Sequence, residues 1–199
     1  VIITELLAVL SVSAAAGFRI ALPLLLIGLL SGELWSRVPI LSALPPTLVV
    51  GGLVSWSLAE LIFSKQPLVQ RVVHSVELFL SPLVGAIAGI AVARTFQMES
   101  WITGLLGVLG GLLALVIHLV QVGWLYRLKR PSVWLICAED FLCVCLVLFA
   151  FDAPQQGGLI ALLLLWLASR TSQAWRQWYL EQAAGGDRRR PRKLKREPD

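Results

Sequence analysis

Ser13-Ala-Ala-Ala-Gly17-Phe-Arg19-Ile-Ala-Leu-Pro23-Leu-Leu25 is the stretch on which the reading of this chain turns. It sets one arginine inside an apolar run: between Ile2 and Leu30 only Glu5 and Arg19 carry charge. A charged side chain near a bilayer centre costs at least ~2.5–3.5 kcal/mol, so it normally faces protein or water and has a partner. The same stretch contains what interrupts a helix. Glycine costs ~1 kcal/mol in a helix interior, and the ring of Pro23 clashes with the carbonyl four residues back, at Arg19. The expectation is a membrane helix interrupted near Gly17–Pro23 around a polar site.

The rest of the chain agrees with that solvent. Hydrophobic residues make up 57% and charged residues 15% of the sequence, and the mean hydropathy of +0.79 lies outside the usual soluble range. Ser100–Tyr126 and Val38–Ala59 carry no formal charge, and each exceeds the roughly 20 residues that span a hydrocarbon core. The first apolar segment is expected not to be a removable signal peptide, because its apolar length is too great. Six apolar segments emerge, at about 5–31, 47–63, 74–93, 101–126, 133–151 and 158–179, separated by Pro39, Pro45-Pro46, Pro67, Pro131 and Asp152-Ala-Pro154. The expected fold is an all-α, polytopic transmembrane bundle over residues 1–180, with a basic, disordered tail over 181–199.

Charge sets the orientation. Asp187–Asp199 holds seven basic residues against three acids, a net of +4, which leaves +1 of the overall +5 for everything before it. With that tail in the cytoplasm, counting back through six crossings puts Lys65, Arg71, Arg127, Lys129 and Arg130 inside and only Arg37 and Arg94 outside. This follows the positive-inside rule and makes both termini cytoplasmic, whereas a re-entrant first segment would put the N-terminus outside. The expected membrane is a bacterial inner membrane or a comparable energy-converting one. Anionic lipid, rather than nucleic acid, is the expected contact of the tail. Trp101 and Trp124 bracket the fourth segment and would lie about 34 Å apart on a helix, matching two interfacial belts.

Small residues cluster in two segments, with Gly85 and Gly89 in one and Gly107 and Gly111 in the next. Glycines at this spacing let helix backbones approach, within a bundle or across a homo-oligomer seam. Among the polar residues, Glu60 and Glu77 lie close to Lys65 and Arg71 and are expected to snorkel to the inner interface, with a secondary part in any polar site. Glu139 and Asp140 lie deeper. Arg19 is expected to pair with Glu139 or Asp140. His118, at similar depth on the preceding segment, either faces one of these carboxylates or bonds a backbone carbonyl. Cys143 and Cys145 project about 200° apart on a helix and cannot share a metal from that element. No metal site, no cofactor and no catalytic residue is expected, since none of the usual hydrolase, zinc or phosphate-loop motifs occurs.

The run Ser13–Leu25 resembles the opening signature of an uncharacterised bacterial integral-membrane family, domain of unknown function 4126. Further stretches are similar in order: Glu60 followed by Lys65-Gln-Pro67, then Ser81-Pro-Leu-Val-Gly-Ala86, then Gly110-Gly-Leu-Leu-Ala-Leu-Val-Ile-His118, then Ala138-Glu-Asp140. The acidic residue that the family places after Pro67 is absent. The resemblance covers about residues 5–150 and implies a multi-pass membrane protein of unassigned activity. Two functions are expected to compete. One is a small channel- or transporter-like protein with an Arg/carboxylate site, and the other an accessory or assembly subunit of a larger membrane complex.

Overall fold

The computed structural model describes the backbone of residues 2–30, 43–63, 67–127 and 133–186, and side chains for most of these. The described residues are all helical, with seven helices and no strands: α1 (Ile2–Phe18), α2 (Ala21–Leu30), α3 (Pro46–Phe63), α4 (Pro67–Thr95), α5 (Ser100–Arg127), α6 (Val133–Asp152) and α7 (Pro154–Gly186). Proline opens three of them, α3, α4 and α7, at the first helical position. There its missing N–H would have had no helical partner anyway. The basic run after Gly186, together with Lys65, Lys129 and Arg130, lies outside the described residues.

The break between α1 and α2 falls at Arg19 and Ile20. Arg19 N–H still bonds the carbonyl of Ala15 at 3.1 Å. The ladder stops there because Pro23, in the first turn of α2, has no N–H to offer the Arg19 carbonyl. Gly17 plays a different part from the one its propensity implies. It lies within α1, and a Cβ there would sit 2.8 Å from the Ala114 carbonyl oxygen and 2.9 Å from Ile117 Cβ. Gly17 therefore serves close contact with α5, and the break follows from Pro23.

Helix α1 is the axis of the fold and packs against α4, α5, α6 and α7. Ala8, Val9, Val12, Ala14, Ala15 and Ala16 are fully buried, as are Ser11 and Ser13. The serines are satisfied by carbonyls of the surrounding helices: Ser11 Oγ donates to Leu146 at 2.6 Å and Ser13 Oγ to Gly85 at 3.3 Å. Glycines admit this close approach. Gly89 faces Val9 and Ser13, Gly110 faces Ser13, and Gly157 faces Ser11. Between α4 and α5, Gly85 meets Ala114 and Gly110, Gly107 meets Ile90, and Gly111 meets the carbonyl of Pro82.

The turn between α4 and α5 ends the longer contact. Met98 N–H bonds the Ala93 carbonyl at 3.2 Å and Gln97 N–H that of Arg94 at 3.0 Å, the paired bonds of a Schellman cap. Gln97 occupies its left-handed position with φ 56°. Only Ala153 separates α6 from α7. The last helix therefore starts earlier than its apolar run, and it continues through Gly186, past the point where the tail is expected to begin.

Two helical stretches among the described residues are long and apolar enough to cross a membrane, Ser75–Thr95 and Ser100–Trp124. Their outward faces carry large apolar side chains. On α5 the exposed positions include Trp101, Leu105, Val108, Leu112, Val116 and Leu119, spaced by three or four residues along one face. The inward positions combine small or polar residues, Thr103, Gly110, Gly111, Ala114 and His118, with Leu106, Leu113 and Ile117.

Candidate functional site

Arg19 projects from the break toward α6. Its Nε donates to Asp140 Oδ1 at 2.8 Å, and the two side chains retain 16% and 33% exposure. That length is typical of a charge-assisted hydrogen bond, roughly twice as strong as a neutral one. Of the two neighbouring acids, Asp140 meets the guanidinium. Glu139, one residue earlier and therefore turned about 100° around the helix, accepts a hydrogen bond from Gln121 Nε2 of α5 at 2.9 Å.

His118 is buried at 3% exposure, and its Nδ1 lies 3.3 Å from the carbonyl oxygen of Gly17. The imidazole thus ties α5 to the last turn of α1 just before the break. Cys143 does the same from α6, with Sγ 3.5 Å from the Ala15 carbonyl. Gly17 lies in the last turn of α1, where helical partners run out, whereas the Ala15 carbonyl also accepts from Arg19 N–H.

Glu77 is buried at 7% exposure inside the bundle, so the expected snorkelling to an interface is not what its side chain does. The register between α4 and α5, set by Gly85 against Gly110 and Ala114 and by Pro82 against Gly111, puts Glu77 and Ser81 at the level of the turn that carries His118. Ser81 is fully buried. Three helices and the break thus bring polar groups to one level: Glu77 and Ser81, His118 and Gln121, Glu139 and Asp140, with Arg19 beside them. The side chain of Glu60 lies outside the described residues. Among the described residues no group of three His, Cys, Asp or Glu is placed to hold a metal ion.

Beside this level an open cleft of about 240 Å³ runs between α5, α6 and α7. Its α5 wall is Ile117, Val120, Gln121 and Trp124, an i, i+3, i+4, i+7 face. The same spacing recurs on α6 at Leu135, Ala138, Glu139 and Leu142, and on α7 at Leu164, Leu167, Ala168 and Thr171. Phe18, adjacent to Arg19, completes it. The cleft and Gln121 are missing from the sequence reading. The available signal was the position of Gln121 three residues after His118, on the same side of α5.

These features define a class: an all-helical protein with two membrane-length helices, an axial helix interrupted at an arginine, and an acid from a distant helix closing on that arginine. The chain belongs to the family described as "Domain of unknown function (DUF4126)", whose model matches residues 6–174. The match extends past residue 150 into α7. No curated protein and no solved structure matches the chain.

Proposed function

We propose that this chain is a small multi-pass integral membrane protein of channel- or transporter-like type, whose solute site is the break between α1 and α2. The observation that carries this reading is the 2.8 Å Arg19–Asp140 contact at an interrupted helix, partly open rather than sealed. Interrupted membrane helices present helix ends and unbonded backbone groups to solutes. The N-terminal end of α2 adds positive partial charge beside Arg19. An anion or a carboxylate-bearing solute therefore suits the site, taking the place of Asp140 on the guanidinium. The apolar outward face of α5 supports a lipid surround. In this reading the protein crosses about six times, with both termini and the basic tail in the cytoplasm, where the tail touches anionic lipid. Cysteine-accessibility labelling tests that orientation, and a tail reached only from outside would overturn it.

Flux measurements in proteoliposomes test the site. Arg19→Gln is expected to abolish flux of a transported anion while leaving folded protein in the membrane. Arg19→Lys is expected to restore it in part, since an ammonium cannot reproduce the planar guanidinium fork. If Arg19→Gln prevents folding, and Arg19→Lys restores folded protein with no flux across a panel of anions, the arginine is a structural clamp and the transport reading fails.

A second reading, an accessory or assembly subunit of a larger membrane complex, draws on α3. This helix packs chiefly on α2 and leaves Leu48, Gly51, Gly52, Val54 and Leu58 exposed. Native mass spectrometry after gentle solubilisation separates the two. A stoichiometric larger assembly supports the subunit, and a lone monomer or dimer supports transport.

A further inference from the structure

We infer that Arg170 and Trp166 on α7 form a phosphate site for a phospholipid in the leaflet at the Trp124 end of α5, with one acyl chain lying along Leu163 and Leu159. This site presupposes the membrane-spanning fold and is independent of transport.

Helix α7 supplies the surface. Leu159, Leu163, Trp166 and Arg170 are exposed at i, i+4, i+7 and i+11, one narrow outward stripe. Leu164, Ala168 and Thr171 turn instead into the cleft, and the Trp175 ring packs on Gly123 of α5. Thr171 shares that cleft with Trp124. Arg170 therefore lies near the level of Trp124, whose exposed indole marks the boundary between hydrocarbon and headgroups.

The polar groups around Arg170 then single it out. The hydroxyls of Ser169, Thr171 and Ser172 each donate to a carbonyl of α7 itself, at 2.7, 2.8 and 2.9 Å. Such back-bonding suits a helix face with little water. The guanidinium has no equivalent option, since it only donates. Its Cζ sits 5.6 Å from the centre of the Trp166 ring, and among the described residues it has no hydrogen bond or ion pair. The ring face attracts the charge and restrains the side chain, yet it offers no oxygen to the N–H donors.

A cation at this depth needs an anion. The exposed acids among the described residues stand elsewhere: Glu99 and Asp152 precede α5 and α7 at their far ends, and Glu181 is roughly 16 Å further along α7. A second copy docked symmetrically on this stripe would set Arg170 against Arg170. Lipid phosphates lie at this level around the whole protein, and the guanidinium fork binds phosphate through two parallel hydrogen bonds. The apolar stripe runs from Arg170 toward the bilayer centre, the direction an acyl chain takes.

The test is native mass spectrometry of the full-length protein in neutral detergent. Phosphatidylglycerol is titrated against phosphatidylcholine, whose phosphate carries its own cation. The native protein should hold one phosphatidylglycerol about tenfold more tightly than phosphatidylcholine. Arg170→Gln should weaken that lipid by about tenfold, and Arg170→Lys by less, because an ammonium keeps the charge and loses the fork. Arg176→Gln removes the same charge from an exposed position of α7 off the stripe and should leave the lipid bound. Equal losses from Arg170→Gln and Arg176→Gln would reduce the effect to net charge and overturn the assignment. So would equal affinity for the two lipids, or unchanged binding in Arg170→Gln. Displacement of the lipid by excess inorganic phosphate would overturn it too, making the site one for a free anion. Any of these results in protein that still requires detergent leaves the membrane reading standing, whereas protein soluble without detergent would remove both.

Discussion

Replacing Gly17 by alanine separates two physical roles that a glycine in this position can have. If Gly17 were present to weaken the helix, a methyl group would be welcome and would return ~1 kcal/mol of helix propensity. The structure instead puts the new Cβ 2.8 Å from the Ala114 carbonyl oxygen, 2.9 Å from Ile117 Cβ and 3.1 Å from Ala114 Cα, all short of the 3.4 Å at which ordinary contact begins. Two of these three atoms are backbone, so no side chain can swing away. The helices α1 and α5 must separate by about half an ångström, and overpacking of this kind typically costs ~1–3 kcal/mol. Gly104 supplies the control, because a Cβ there has nothing within 4 Å. Gly104→Ala should gain up to ~1 kcal/mol from propensity alone. The difference between the two variants isolates the packing cost, so Gly17→Ala should be less stable than Gly104→Ala by ~1–3 kcal/mol. Reversible denaturation in detergent micelles, followed by helical circular dichroism, reads both. A Gly17→Ala protein at least as stable as Gly104→Ala would refute the close-approach argument. It would return Gly17 to the role of helix breaker.

A double-mutant cycle on Arg19→Gln and Asp140→Asn should give a coupling of about 1–3 kcal/mol, above surface pairs and below sealed ones, because the pair is partly exposed. The parallel cycle of Arg19→Gln with Glu139→Gln should give a smaller coupling, since Gln121 holds one oxygen of Glu139. Equal couplings would mean that the two acids share the arginine. At the α4–α5 turn, Gln97→Gly should stabilise the protein by ~0.5–1 kcal/mol, because glycine takes the left-handed φ of 56° without a Cβ penalty. Thermal unfolding measures it, and a lower midpoint would refute the cap.

Composition and spacing alone determined the all-helical class, the interruption ahead of Pro23 and the set of polar residues that are hard to bury. Each is a property of a segment in its own right: a ring without an N–H, a run without charge, an arginine among leucines. Membership of the family was legible for the same reason, since its stretches lie in order along the chain. Which carboxylate meets Arg19 was not legible, because Glu139 and Asp140 share a depth and differ by about 100° of rotation. Only the placement of α1 and α5 around α6 turns Asp140 to the guanidinium and Glu139 to Gln121. Gly17 follows the same rule: its φ is ordinary, and the need for a hydrogen in place of a methyl comes from Ala114, a residue remote in sequence. The cleft is the extreme case. Its three walls are unremarkable apolar helix faces, and they enclose a cavity only because tertiary packing sets them around one axis with Phe18 between. Helical periodicity reports where a side chain points relative to its own axis, and neighbours are a relation between axes.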